Sequence, residues 1–191
     1  KHRLNYMPWL YWSLKPKHRE WAEQWQAEYQ AYLMEMETVE IGKNCFISPL
    51  AHIFAERGRK ISIGDNTFIA ADCTLHGPLQ IGNEVAINHH CILDGGRAGI
   101  KLHDQVRIAA YSHLYAFDHG MDLERPIYQQ AVTSKGIEIG QDVWLGAHVG
   151  IKDGVKIGDH AVIGMNSMVT KDIEKHAIVA GNPARLIRYR K

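Results

Sequence analysis

The chain has 191 residues, with 22 lysines and arginines against 21 aspartates and glutamates and a formal net charge of +1. Its length and its 46% hydrophobic content suit one buried-core domain with an appended element, and the charge balance argues against nucleic acid or an anionic membrane surface as a partner. No apolar run approaches the roughly 18 residues of a transmembrane span, and the cluster from Tyr6 to Trp12 is too short for a secretory signal.

Residues 1–38 read as an appended N-terminal region. Pro8, Trp9, Tyr11, Trp12 and Pro16 mark an irregular arm with apolar anchors that pack on its own domain or a neighbouring subunit. Residues 17–36 form a predicted helix. Trp21, Trp25, Tyr29, Tyr32, Leu33 and Met36 recur at spacings of three and four and define its packing face. Glu20, Glu23, Gln24, Gln26 and Glu28 fall largely on the other side.

From Ile41 the pattern changes. Aliphatic residues recur every six: Ile41, Ile47, Ile53; Ile63, Ile69, Leu75, Ile81, Ile87, Leu93; Leu102, Ile108, Leu114; Ile139, Leu145, Ile151, Ile157, Ile163, Val169. Neither the helical period of 3.6 nor the strand period of 2 gives a strict six. A stacked solenoid does, with short strands joined by tight turns into a triangular coil. The aliphatic residue and the small or β-branched residue four later point inward. Glycine, asparagine and aspartate after the aliphatic suit the turns. Cys45, Cys73 and Cys91 all occupy the inward small-residue position, so they are expected to be buried, unreactive thiols in a reducing, cytoplasmic protein.

Three stretches break the hexads. Glu56–Lys60 and Asp94–Gly99 are short and read as solvated turns. The third, residues 115–136, is the longest and contains Phe117-Asp118-His119-Gly120. A regular scaffold that permits one long excursion commonly does so for function. After Val169, residues 170–191 form a predicted cap over the last coil.

These hexads, the loop with its His-Gly step, Val143-Trp144-Leu145-Gly146-Ala147-His148, Val169-Thr170-Lys171-Asp172-Ile173 and Gly181-Asn182-Pro183-Ala184-Arg185 together resemble the hexapeptide-repeat acyltransferases, in particular the maltose and galactoside O-acetyltransferases and the sugar acetyltransferases of polysaccharide pathways. The resemblance covers roughly residues 39–190. It implies a mainly β fold, a left-handed parallel β-helix, assembled as a homotrimer with active sites between subunits. It also implies acetyl-CoA as the acyl donor, a sugar or glycan acceptor, and no metal. The N-terminal region differs in pattern from the helical segment of the maltose type.

Acyl transfer to a hydroxyl needs a base for the acceptor proton, donors for the oxyanion, and alignment of the two substrates. Histidine titrates near neutrality and suits the first task, and His119 matches the family base. Asp118 is adjacent in sequence, so on extended backbone it points to the opposite side. Asn88 matches an active-site asparagine that binds substrate or steadies the intermediate, with a turn-stabilising role as the alternative. Trp144 is expected to point outward, either lining the groove or packing between subunits. Gly146-Ala147 and Gly164-Met165 lie 18 residues, one full coil, apart and would offer backbone groups to the pantetheine arm. Thr170, Lys171, Arg185 and Arg188 would meet the phosphates and adenine. Three other readings stand beside this one: an amino-sugar N-acetyltransferase, a non-catalytic scaffold, and a γ-class carbonic anhydrase-like zinc protein using His76, His113 and His119.

Overall fold

A computed structural model describes all residues, 1–191. The hexads wind into a left-handed parallel β-helix of about six coils. Each sheet collects one strand per coil, so the eighteen phased positions sort into three columns. Ile41, Ile63, Ile81, Leu102, Ile139 and Ile157 end the strands of sheet A. Ile47, Ile69, Ile87, Ile108, Leu145 and Ile163 belong to sheet B, and Ile53, Leu75, Leu93, Leu114, Ile151 and Val169 to sheet C. All but Ile41 are buried, and Ile41 packs against the same core. Like side chains stack on like ones, so the core is filled without a second layer.

The cysteines are buried and unpaired, as the hexad phase requires. Burial pushes the Cys45 thiol up. The neighbouring Cys91 thiol first, and burial second, push Cys73 up strongly. Neither of these two therefore has thiolate character.

The glycines after the aliphatic residues have another cause than turn conformation. The left-handed residues of the A-to-B corner lie two further on, at Asn44, Asn66, Glu84, Gln105, Asp142 and His160. Gly64 itself is not left-handed; a Cβ there would sit 2.6 Å from the Gly82 carbonyl carbon of the next coil. The small residue is set by the close approach of coils, where side-chain oxygens such as Asn83 Oδ1 accept from backbone N–H groups of the coil before.

The N-terminal region begins with a short helix, α1 (His2–Tyr6), and a 3-10 turn at Pro8–Leu10. Leu4 and Tyr11 are buried with Ala22 against Phe46, Phe68 and Ala86 on the outer face of sheet B, with Leu10, Trp12 and Trp25 packed around them. The arm thus packs on its own domain. The long helix α2 (Pro16–Met36) covers the first coil, but its buried residues are Ala22, Gln26 and Leu33. Of the expected stripe, Trp25 and Tyr29 are half-buried, while Trp21, Tyr32 and Met36 stay exposed. Gln26 turns inward because the first strand of sheet B has an open edge. Its Oε1 accepts from Ile47 N–H at 2.8 Å and its Nε2 donates to Ile47 C=O at 3.1 Å. Gln30 donates to Cys45 C=O at 2.9 Å. The helix therefore supplies the hydrogen bonds a preceding coil would have made.

At the other end, Ala177–Ala180 extends sheet B in parallel and Arg185–Tyr189 returns antiparallel along it. Arg190 ties this tail to the A-to-B corner through Asp142 Oδ2 at 3.0 Å and His160 C=O at 3.1 Å.

Candidate active site

The long excursion leaves sheet C after His113–Tyr115 and returns to sheet A at Ile137. It is a two-stranded hairpin in which Asp118–His119 pairs antiparallel with Val132–Thr133. Its base is fastened twice. Ser134 Oγ donates to Ala116 C=O and accepts from Arg97 N–H at 3.0 Å and Ala98 N–H at 2.9 Å. The buried Asp153 carboxylate accepts from Lys135 N–H at 2.9 Å and Gly136 N–H at 2.9 Å. Further out, Gln130 closes the tip by accepting from Asp122 N–H at 2.9 Å and donating to Asp122 and Arg125 carbonyls.

His119 is exposed on this hairpin, with its ring edge-on to Phe117 at 6.2 Å between centroids. Its direct cross-strand partner is Val132. Asp118 faces the other way and accepts from Lys152 Nζ at 2.7 Å. The two residues do not form a dyad, as the alternation of extended backbone requires.

Trp144 belongs to sheet B, and Asn88 directly follows the sheet B strand Ala86–Ile87; the hairpin does not touch that sheet through backbone pairing. Asn88 Nδ2 donates to Ile108 C=O at 2.9 Å, so half of its amide serves coil stacking and Oδ1 remains available. Trp144 projects outward and is 54% exposed, between Arg107 and Val162 on neighbouring strands. Gly146-Ala147 and Gly164-Met165 lie at the B-to-C corner below Asn88. Their glycines contribute differently from the expectation. Gly146 N–H donates to Ile163 C=O and its C=O accepts from Ser112 Oγ, so neither is free. A Cβ on Gly146 would lie 2.6 Å from Met165 N, which explains the glycine by stacking alone. The N–H groups of Ala147 and Met165, one coil apart, have no partner within the chain. The rings of His90, Tyr111 and His148 flank this strip in a continuous stack, with centroids 4.7 and 4.9 Å apart.

Thr170, Lys171 and Arg185 line one hollow of about 420 Å³ at the open end of the prism, together with apolar Ile173, Val179 and Leu186. Arg188 lies outside it, on the same strand as Arg185. His76, His113 and His119 do not form a ligand set: no three His, Cys, Asp or Glu side chains converge with metal-binding geometry. His76 is instead held between Glu56 Oε1 at 3.1 Å and Asp94 Oδ2 at 3.4 Å. The sequence reading missed Lys152, Asp153 and Ser134. Their partners lie 17 to 37 residues away, and no local pattern marks them.

Residues 136–171 match the family model described as bacterial transferase hexapeptide (six repeats). The galactoside O-acetyltransferase of Escherichia coli (strain K12) is 30% identical over 165 residues, covering 85% of this chain and 70% of its own. The chain belongs to the hexapeptide-repeat acyltransferases. This hexapeptide-repeat acyltransferase is also similar to a point mutant of AntD, an N-acyltransferase from Bacillus cereus, solved with dTDP and coenzyme A. The TM-score is 0.75 at 30% identity, covering 85% of this chain and 89% of AntD. The acetyltransferase VCA0836 from Vibrio cholerae, solved with acetyl coenzyme A, matches with a TM-score of 0.63 at 29% identity over 86% and 78% of the two chains. The acyltransferase spans 58% of the length of one Saccharomyces cerevisiae relative, to which it is 36% identical over 117 residues. No helix is long and apolar enough to cross a membrane.

Proposed function

We propose that the protein transfers an acetyl group from acetyl-CoA to a sugar or glycan acceptor, with His119 as general base. The acceptor attacks the thioester directly in a ternary complex. His119 takes the proton of the acceptor hydroxyl as the new C–O bond forms, and coenzyme A leaves as the thiol. An amine acceptor would form a C–N bond by the same route. AntD, with a dTDP-amino sugar among its ligands, supports that second reading.

The observation that carries this reading is the hairpin: a fastened, otherwise exposed excursion that presents one histidine beyond the sheet it leaves. The donor would run along the B-to-C corner, its arm bonded to the free N–H groups of Ala147 and Met165. Its charged end would lie by Thr170, Lys171 and Arg185, with Arg188 at the margin. Trp144 and Asn88 would line the reaction centre from the donor side. Trp144 lies on sheet B with Asn88 just past the end of a strand of that sheet, and His119 extends from sheet C, so a second copy of the chain would complete each site, as in a homotrimer. Three unpaired cysteines suit a reducing, cytoplasmic setting.

The test is thiol release from acetyl-CoA with a panel of sugars and amino sugars. His119→Ala should lower turnover by about 100-fold or more while calorimetric binding of coenzyme A stays within about twofold. Unchanged turnover in that variant removes His119 as the base.

A further inference from the structure

The three breaks in the hexad repeat share a corner. Each falls between a strand of sheet C and the next strand of sheet A: Glu56–Lys60, Asp94–Gly99 and the hairpin. The other two corners run without insertion. The breaks also meet in space, around one hollow of about 280 Å³. Arg59 comes from the first, Asp94 and Arg97 from the second, Phe117 and Val132 from the third, and His76 from the coil between. The two shorter breaks are therefore not merely solvated turns. In a solenoid, insertions that cluster on one corner build a binding face.

The hairpin has two faces, and His119, which does not itself line the hollow, shares a face with two residues that do. Val132 is the cross-strand partner of His119, and directly opposed residues share a face. Phe117 is two residues before His119 and touches its ring. Both line the hollow. Asp118, on the opposite face, points to Lys152 of the following coil.

The polar groups are arranged unevenly. Asp94 lies 3.6 Å from Arg59 Nη2 and 3.4 Å from His76 Nδ1, and accepts from Gly96 N–H at 3.0 Å. Arg59 Nε also lies 3.1 Å from Glu56 Oε1, in an ion pair that lacks hydrogen-bond alignment. The Glu56 carboxyl is held below its ordinary value by its own backbone N–H first and the His76 ring second. Arg59 is thus matched by two carboxylates. Arg97 is exposed, and its guanidinium has no carboxylate partner; only its backbone N–H is engaged, by Ser134.

We propose that this hollow is the acceptor subsite and that Arg97 selects a glycosyl acceptor bearing an oxyanion, either a phosphate or a carboxylate. The inference rests on His119 being the base. A free guanidinium offers a planar fork that fits either oxyanion with two hydrogen bonds. Asp94 and His76 face the space where sugar hydroxyls would lie. Phe117 presents an apolar ring to a pyranose face, beside the hydroxyl that His119 would deprotonate.

The experiment compares hexoses with their 1-phosphates and uronic acids on the full chain. Binding is read by calorimetry and transfer by thiol release. Wild type should take at least one charged class with a KM about tenfold or more below that of the parent hexose, and the phosphate and carboxylate arms show which oxyanion is read. Arg97→Ala should raise that KM about tenfold and leave the KM for acetyl-CoA unchanged, and Arg97→Lys should recover part of the loss. Charged sugars that bind with Arg97-dependent affinity but release no thiol would overturn the transfer reading and leave the hollow assigned. Transfer that treats neutral and charged hexoses alike, or that ignores Arg97→Ala, overturns the acceptor proposal alone. Failure of every charged sugar to bind overturns it as well.

Discussion

Lys152 Nζ donates to Asp118 Oδ2 at 2.7 Å, pinning the residue before His119 to the following coil. The pair is partly exposed, with 45% of the lysine and 34% of the aspartate side chain accessible, so its share of global stability is under about 1 kcal/mol. With His119 proposed as the base, the pair's leverage is on the aim of the hairpin, since small displacements of a reacting group are costly. Lys152→Ala and Asp118→Asn should each lower kcat about tenfold, with the melting temperature nearly unchanged. Lys152→Arg should recover most of the loss. A kcat within twofold of wild type in Lys152→Ala would show that the pair does not aim the histidine.

The separation of His119 from Asn88 and Trp144 on different sheets predicts complementation between subunits. His119→Ala and Trp144→Ala chains, each nearly inactive alone, should regain a measurable fraction of activity when co-expressed, because some seams then combine an intact His119 with an intact Trp144. Mixed assemblies no more active than the separate variants would place the whole site within one chain.

Gln26 closes the top of sheet B with two buried hydrogen bonds to Ile47. Gln26→Leu keeps the volume and leaves the Ile47 N–H and C=O unpaired. That should cost about 2–4 kcal/mol of unfolding free energy, read by urea denaturation of the whole protein. A loss below about 0.5 kcal/mol would mean that water satisfies this edge.

His160 first, and Arg190 with it, hold the Asp142 carboxyl below its ordinary value. A depressed folded-state pKa contributes stability that is present above the unfolded-state value, near 3.9, and is lost as pH falls through the folded value. Asp142→Asn should therefore narrow the stability difference only on the acid side: the variant is less stable than wild type above about pH 4 and converges with it below. The side chain is 45% exposed, so the gap should stay under about 1 kcal/mol. Parallel stability curves across that range would contradict the assignment.

The solenoid was legible because its constraint is local and repetitive. Every sixth residue enters the same column, and a column tolerates only a narrow range of sizes. His119 stands out as a candidate because it lies in the longest break. The shared corner was present in the spacing but unread: the breaks follow the third, ninth and twelfth hexads, all multiples of three. In a three-sided coil that places them on one edge. Gln26 was hidden because a polar residue on a surface helix reads as solvent-facing, and its partner is an open strand edge 21 residues later. Of the pairs Gly146-Ala147 and Gly164-Met165, the spacing does not tell which member has a free amide; it is Ala147 and Met165, because the Gly146 and Gly164 N–H groups are spent on coil stacking.

The fastening of the hairpin by Ser134 and Asp153 has a wider consequence. Both anchors lie at its base, and the segment between Gly120 and Ala131 contributes nothing to the inward columns. That edge of the prism works as a socket: the piece plugged into it can change length and composition while every coil keeps its register. Substrate range in such a protein can drift on the socket side while the thioester side stays constant. A foreign hairpin grafted between Ala116 and Ser134 needs only to preserve those two anchors.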